Sequence, residues 1–299
     1  MKGTPLTSPP KEDLLAPDGP DSMTVRVLTW NVWGREGEWA RQDAMREAIA
    51  SVDPDLVALQ EVARDIDFDQ LEHLLGQTGL VGVHDSDVIQ APSVGTALAS
   101  RWAPERVVGA LLPSQCPPDA PAPNALAAVI PLPIGVSLLF MAVKPYWPLN
   151  AEAVRCREAL AIVDLEERLR QAAPSIVAGD FDAKPDGDCM QFFAGNRVLE
   201  GRSTHYLNAW DVAGDGSPGH TWTVENPGVA PCVGMGAVEP GHARRIDHIL
   251  VHGPGFQDWG GFAYRVRAVV TRCEVVFTDP APSDHYGVLA DVELTRVPL

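Results

Sequence analysis

Blocks of apolar residues alternate with polar turns along the chain, and their spacing predicts strands and helices in succession. Residues 24–30, "TVRVLTW", are typical of a strand. Residues 54–62, "PDLVALQEV", predict a strand covered on both faces, because Pro54 is followed by a short apolar run. Between them, residues 37–52 have apolar side chains at helical spacing. Residues 67–79 predict a second helix with Asp67 as its N-terminal cap.

The middle of the chain has short β-like runs separated by turn-forming residues, a succession typical of antiparallel strands. These runs are residues 95–102, 105–112, 125–130 and 135–144. A long helix is predicted over residues 150–173, with Asn150 as a possible cap. The rest predicts a strand at 174–180, a short helix at 186–196 and strands at 244–251, 265–277 and 286–294. Because the β-rich stretches come in groups bounded by helices, the pattern predicts an α/β protein with two sheets packed face to face and helices outside.

The chain of 299 residues is long enough for one large domain, which we expect over residues 23–299. Residues 1–22 are rich in prolines and charges and lack the features of a targeting signal, so we expect a disordered tail. The longest apolar stretch, residues 126–143, is interrupted by Pro131, Pro133 and Gly135. A membrane-spanning helix needs roughly 18 uninterrupted apolar residues, so we expect a soluble protein.

Cysteine spacing and net charge bear on the cellular compartment and on the class of substrate. The five cysteines are widely and irregularly spaced without a CxxC pair, which favours reduced thiols in a cytoplasmic protein over disulfides or a zinc site. The formal net charge is -17, from 23 Lys and Arg against 40 Asp and Glu. Because proteins that bind long nucleic acids neutralise several phosphates with clustered basic residues, extended duplex binding is disfavoured. A local basic groove remains compatible with this composition.

Polar residues follow several of the predicted strands directly. One acidic residue after a strand is ordinary turn chemistry, so each position alone has a structural explanation. Together they are harder to explain that way, and the set is Asn31, Glu61, Asp180, Asp182, Asp247, Asp284 and His285. If these strand ends share one edge, they form a carboxylate cluster too repulsive to persist without a cation. Oxygen ligands without thiolates favour Mg²⁺ or Mn²⁺ over zinc.

Asn31 is an unusual residue to follow a buried strand, since its amide needs partners. Its carbonyl oxygen could ligate the ion or orient Glu61, and its NH₂ group could donate to another carboxylate.

Five segments, in this order, resemble the motif series of the endonuclease/exonuclease/phosphatase superfamily. They are "TWNVWG", "LQEV", "GDFDAKPD", "RRIDHILV" and "SDHYGV", and the resemblance spans residues 24 to 294. It implies a four-layered α/β sandwich in which two mixed, mainly antiparallel sheets pack face to face. It also implies a phosphoric ester hydrolase that depends on Mg²⁺ or Mn²⁺.

The resemblance further implies roles for single residues. Glu61 would be the main metal ligand, with Asn31 beside it and Asp284 close by. His285, oriented by Asp247, would act on the scissile phosphate or on the attacking water, which Asp180 would position or deprotonate. In-line attack on phosphorus builds negative charge, and a divalent cation and an imidazolium stabilise that charge.

Two residues depart from the family pattern. Most members have Asn at the position of Asp182, and His or Tyr at the position of Lys144. An ionised Asp182 cannot donate to a phosphate oxygen, so it would bind metal, be protonated or turn away. Lys144 could contact the phosphate and offset the added negative charge.

Other polar residues have weaker functional indications. Trp222 and Asn226 lie in a loop that lines the cleft in family members, so we expect them either to contact substrate or to pack within that loop. We expect His73, His84 and His248 to have a structural role or to be exposed. Arg155 and Arg157 are expected to be exposed on a helix. Residues 253–261 are expected to form a turn.

Three functions remain open from the sequence. The first is hydrolysis of a phosphodiester or phosphomonoester by water, with a small or lipid-derived substrate favoured by the acidic composition. The second is a nuclease acting on DNA or RNA. The third is a binding module on the same fold that has lost its chemistry.

Overall fold

The computed structural model describes residues 19–89, 94–114, 122–171, 173–252 and 264–298. Its strands are β1 (Ser22–Asn31), β2 (Leu56–Ala63), β3 (Val81–His84), β4 (Val94–Ser100), β5 (Arg106–Leu111), β6 (Asn124–Leu132), β7 (Val136–Lys144), β8 (Ile176–Asp180), β9 (Tyr206–Asn208), β10 (Trp222–Thr223), β11 (Ala243–Arg244), β12 (Asp247–His252), β13 (Tyr264–Val276) and β14 (Gly287–Pro298). Its α-helices are α1 (Ala40–Val52), α2 (Gln70–Leu75), α3 (Glu152–Leu169), α4 (Asp188–Phe193), α5 (Ala209–Ala213) and α6 (Ala230–Gly234).

Two six-stranded sheets form the centre of the molecule. Sheet I has the strand order β13-β14-β1-β2-β4-β3, and sheet II has the order β5-β6-β7-β8-β12-β9. Most neighbouring strands are antiparallel, but β1 and β2 are parallel, as are β7 and β8. Each parallel pair is joined through a helix, α1 in sheet I and α3 in sheet II, because parallel strands need a long crossover.

Three apolar cores separate four layers. The inner core lies between the sheets and contains residues such as Val27 of β1 and Ala178 of β8. A second core packs sheet II against α3 and α4, and a third packs sheet I against α1 and α2. The central strands β2, β6, β7 and β8 are covered on both faces, which explains their continuous apolar runs. The predicted four-layered sandwich of two mixed sheets with helices outside is confirmed.

Two predicted helix caps were wrong. Helix α2 is capped by Asp69, whose side chain accepts from the backbone N–H of Glu72. The helix starts later than predicted because Asp65 accepts from the N–H groups of Asp67 and Phe68 and holds those residues in a turn. Helix α3 begins after Ala151 and has no side-chain cap, so Asn150 does not cap it.

Arg155 was predicted to be exposed and is buried. It lies on α3 with its guanidinium turned to the segment after β7, where it donates to the carbonyls of Tyr146 and Pro148. The helix pattern could not show this, because the partner carbonyls belong to an irregular segment.

Residues 1–18 of the predicted tail, Cys116 and the predicted turn at 253–261 lie outside the described residues. Residues 19–21 contact the end of β14, where the Arg296 guanidinium donates to the Gly19 and Pro20 carbonyls and to Asp21. No helix among the described residues is both long and apolar enough to cross a bilayer.

Candidate active site

The predicted strand ends meet at one edge of the sandwich. Asn31 ends β1, and Lys144 and Asp180 end the parallel strands β7 and β8 in the facing sheet. Strand β12 is antiparallel to β8, so its first residue, Asp247, pairs with Asp180. The strand β14 pairs with β1 in the same antiparallel way, which brings His285, just before β14, to this edge.

Side-chain alternation along the strands directs these residues between the sheets. Val25 and Val27 of β1 belong to the inner core, and Asn31 has the same parity. Ala178 and Asp180 on β8 follow the same rule, as do Ile249 and Asp247 on β12. The polar residues therefore replace the last layer of the inner core at its open end. All of them are nearly inaccessible to solvent.

Glu61 reaches the site by a different route. By strict alternation it would face α1 and α2, as Leu59 does. The pairing of β2 with β4 shifts between Leu59 and Val62, and Glu61 has a φ of 57° in the left-handed region. This irregularity turns its carboxylate inward, to within 2.9 Å of the Asn31 amide nitrogen.

A small hydrogen-bond network holds this bulge. The N–H of Gly34 donates to the Glu61 carbonyl, and Gln70 accepts from the N–H of Ala63. The amide of Gln70 also donates to the Gly34 carbonyl and to Gln42. The buried amides thus fix the backbone on both sides of Glu61.

Asn31 joins the two sheets. Its Nδ2 donates to Glu61 Oε1 at 2.9 Å and to Asp180 Oδ2 at 3.0 Å, while its Oδ1 accepts from the N–H of Trp33. The amide that looked out of place after a buried strand therefore has a partner for each of its polar atoms. Its donors link a carboxylate from sheet I to one from sheet II.

His285 and Asp247 form a buried pair. Nδ1 of His285 lies 2.9 Å from Asp247 Oδ2, and its Nε2 lies 3.8 Å from Asp180 Oδ2. The indole N–H of Trp30 donates to the His285 carbonyl and fixes the backbone. Burial alone would lower the pKa of His285, but the Asp247 and Asp180 carboxylates raise it well above its usual value. The geometry therefore favours an imidazolium.

Lys144 lies among three carboxylates. Its Nζ is 2.6 Å from Asp180 Oδ2, 2.5 Å from Asp182 Oδ2 and 3.5 Å from Glu61 Oε1. Burial opposes its charge, but these carboxylates raise the pKa of Lys144 well above its usual value. Asp180 is the opposite case. Its burial is outweighed by Lys144 and His285, which hold the pKa of Asp180 below its usual range.

Asp182 is turned back towards Lys144 by its backbone. It has a φ of 51°, and its N–H donates to Asp180 Oδ1 at 3.0 Å. Arg244 donates to its carbonyl. Burial and the neighbouring Asp180 carboxylate raise the pKa of Asp182 to about 7, against the lowering effect of Lys144.

The remaining predicted residues are Asp284, Trp222 and Asn226, and the last two contact Asp284 beside His285. Asp284 is half-buried, and burial raises its pKa. The indole nitrogen of Trp222 is 3.5 Å from Asp284 Oδ2, and its ring packs against His285. Asn226 is fully buried, and its amide donates to the carbonyls of Ser283 and Asp284. In this structure Asn226 supports the loop, and its contact with substrate stays a prediction.

Sequence reasoning missed several residues that hold the site in place. They include Trp30, Gln70, Thr221, Arg244 and Ser283. Ser283 donates to the Asn31 carbonyl and Thr221 accepts from the N–H of Asp247. Trp30, Arg244 and Ser283 lie within the quoted motifs. Gln70 and Thr221 lie outside them and carry no signal beyond being polar. His248 packs away from the cluster, close to the Ala183 carbonyl, and burial lowers its pKa to about 4.

The donor set suits a hard divalent ion. Glu61, Asn31 and Asp284 offer carboxylate and amide oxygens, which Mg²⁺ and Mn²⁺ prefer. Asp180, Asp247 and His285 also bring possible ligand atoms within 4.8 Å of one another. Their hydrogen bonds to Lys144 and to each other already use much of that capacity, so the Glu61 side fits an ion better.

Comparison with known proteins agrees with the fold and the motif order. A sequence model of the Endonuclease/Exonuclease/phosphatase family matches residues 28–285, and the chain belongs to this family. Members are typically metal-dependent hydrolases of phosphoesters. No curated protein matches the chain.

Solved structures of this family have the same fold. One is an endonuclease/exonuclease/phosphatase from Bacteroides vulgatus, with a TM-score of 0.65, 18% identity and coverage of 91% of this chain and 99% of that one. TDP2 from D. rerio, complexed with a single strand DNA product, has a TM-score of 0.66, 17% identity and coverage of 90% and 98%. A protein from Beutenbergia cavernae has a TM-score of 0.66, 19% identity and coverage of 91% and 72%. At these identities the similarity concerns the fold alone.

Proposed function

We propose that this protein is a divalent-metal-dependent phosphoesterase that hydrolyses a phosphodiester or phosphomonoester with water as nucleophile. The observation that carries the proposal is the convergence of Asn31, Glu61, Asp180, Asp247 and His285 from both sheets at one edge, with the His285–Asp247 pair at 2.9 Å. An acidic substrate-binding edge without a cation would repel a phosphate, so a bound Mg²⁺ or Mn²⁺ is part of the proposal.

Each residue has a role that follows from its contacts. Glu61, Asn31 and Asp284 would hold the ion, which supplies charge stabilisation at the phosphate oxygens. His285, kept protonated and oriented by Asp247, would donate to a phosphate oxygen that gains negative charge. Asp180 would orient the attacking water. Its lowered pKa suits an acceptor better than a base, so orientation is its main contribution.

Lys144 and Asp182 act as a pair in this proposal. The ammonium neutralises Asp182, so the carboxylate no longer repels an incoming phosphate. Trp222 would border the substrate beside Asp284, and Asn226 would position that loop from below.

A small or lipid-derived ester is the favoured substrate class. The net charge of -17 opposes accumulation of long polyanions around the protein. The alternative is a nuclease, which the TDP2 structure with single-strand DNA supports at the level of fold. A screen of small phosphate esters and a supercoiled plasmid, each with Mg²⁺, Mn²⁺ and Ca²⁺, separates the two. Phosphate or nitrophenol release without plasmid nicking is expected, and the opposite result would favour the nuclease.

Two variants test whether the fold carries chemistry at all. Glu61→Ala should abolish metal-stimulated hydrolysis. His285→Ala should reduce turnover by roughly 10²–10⁴-fold, the usual contribution of one acid–base group. A His285→Ala protein as active as the parent would favour the third possibility, a binding module without catalysis.

A further inference from the structure

The ammonium of Lys144 occupies a position that a metal ion could otherwise take. It lies 2.5–2.6 Å from Asp180 and Asp182 and 3.5 Å from Glu61, and the residue is 8% exposed. A lysine has three N–H donors, and here three carboxylates surround them. The side chain is therefore held by the protein and not by solvent.

Strand geometry enforces this placement. Strands β7 and β8 are parallel, with Val143 opposite Gly179, so the next residues, Lys144 and Asp180, lie side by side. A Cβ on Gly179 would lie 2.1 Å from the Val143 carbonyl oxygen, so only glycine allows the strands to approach this closely. Lys144 has little freedom to leave the two carboxylates.

Three of the four carboxylate oxygens on this side of the site already accept hydrogen bonds, both oxygens of Asp180 and Oδ2 of Asp182. Asp180 Oδ2 accepts from Lys144 and Asn31, and its Oδ1 accepts from the N–H of Asp182. An ion bridging Asp180 and Asp182 would have to displace the ammonium, since two cations cannot share these oxygens at hydrogen-bonding distance.

We propose that Lys144 is a built-in cation that fills the Asp180–Asp182 half of the site, so that the protein binds one divalent ion, on the Glu61 side. Asp182 is then the counter-charge of Lys144, and the two residues form one functional unit. This inference rests on the proposed metal site, but its test counts ions and does not depend on turnover.

The test is a titration of the full-length protein with Mn²⁺, followed by electron paramagnetic resonance and calorimetry. The wild type should bind one Mn²⁺. Lys144→Met should bind a second ion, because removal of the ammonium frees Asp180 and Asp182. The matched control is Lys184→Met, since Lys184 is an exposed lysine paired only with Asp186 among the described contacts. It should bind one ion, as the wild type does.

A second variant separates charge from position. Lys144→Met with Asp182→Asn removes Lys144 and its counter-charge and should return the count to one, because Asp180 is then the one carboxylate left of the pair. If Lys144→Met does not fold without metal, refolding with Mn²⁺ should recover it, since the ion replaces the ammonium. Equal ion counts in the wild type and Lys144→Met, or no recovery with Mn²⁺, would overturn the proposal. If the wild type binds one ion and Lys144→Met binds two, but the wild type does not hydrolyse esters, only the proposed function is refuted.

Discussion

Single residues in this site act mainly by joining elements that are far apart in the sequence. Asn31 bonds to carboxylates 30 and 149 residues away, one from each sheet. His285 depends on Asp247 for its charge and on Trp30 for its backbone position. The site is thus a network in which most polar atoms already have a partner inside the protein.

The charge of His285 predicts a pH dependence of stability. Its folded-state pKa is raised, so the imidazolium stabilises the fold fully below the unfolded value near 6.5, and this stabilisation is lost as pH rises through the folded value. In metal-free buffer between pH 7.5 and 9, the free energy of unfolding of the wild type should fall relative to that of His285→Gln, by up to about 1.4 kcal/mol per pH unit. The free energies come from denaturant titrations at each pH. If those of the wild type and His285→Gln change equally with pH, the charge assigned to His285 is contradicted.

The sequence allowed the residues at the strand ends to be predicted, but not their pairing. Buried strands followed by acidic and amide residues indicated a shared edge, and the resemblance to the family motifs pointed to the same strand-end residues. The contact between Lys144 and Asp182 spans 38 residues and depends on the left-handed backbone of Asp182, which no local pattern indicates. The burial of Arg155 was missed for a related reason, because its partners are backbone carbonyls.

At the level of elements, the bulge in β2 decides where Glu61 points. Alternation along the strand would place this carboxylate against the helices, so a pattern-based argument gives the correct strand and the wrong face. The bulge is held by Gln70 from α2 and by Gly34 from the loop after β1. Metal binding should therefore respond to residues that do not touch the ion.

Gln70→Met tests this support. The change keeps the side-chain length but removes the bonds to Ala63, Gly34 and Gln42. Mn²⁺ affinity should fall roughly tenfold to hundredfold, the usual effect of losing a residue that orients a ligand. Calorimetry measures it, and exposed Gln77→Met is the control. An unchanged affinity would mean that Glu61 is positioned without the bulge network.

The close approach of β7 and β8 gives a second prediction at this scale. Gly179→Ala would place a Cβ 2.1 Å from the Val143 carbonyl oxygen, so the strands must separate. The free energy of unfolding should fall by about 1–3 kcal/mol or more, as in other overpacked cores. Gly234→Ala, which meets nothing within 4 Å, should change it little. If the two variants have equal stability in thermal unfolding, β7 and β8 can accommodate a Cβ at residue 179 without separating.

The whole molecule combines a strongly acidic composition with a site for which we propose an anionic substrate. Mutual repulsion among the excess acidic groups opposes the compact state at low ionic strength. The many surface ion pairs, such as Arg101 with Asp53, contribute little by comparison.

Screening should therefore stabilise the protein. Raising NaCl from about 20 mM to about 300 mM shortens the Debye length several-fold, which weakens the repulsion within the net charge of -17. The melting temperature should rise by a few degrees in differential scanning calorimetry without added divalent ions. A melting temperature that falls with salt would mean that surface ion pairs outweigh the net charge.

The order of strands in sheet I has a consequence for incomplete chains. Strand β14 follows the other thirteen described strands in the sequence, yet it lies between β13 and β1 in the sheet. A polypeptide that stops before Gly287 leaves β1 with a long row of open backbone donors and acceptors, flanked by apolar side chains. Such an edge recruits strands from neighbouring molecules. Chains that terminate before Gly287 should therefore aggregate in the cell and be recovered in the insoluble fraction.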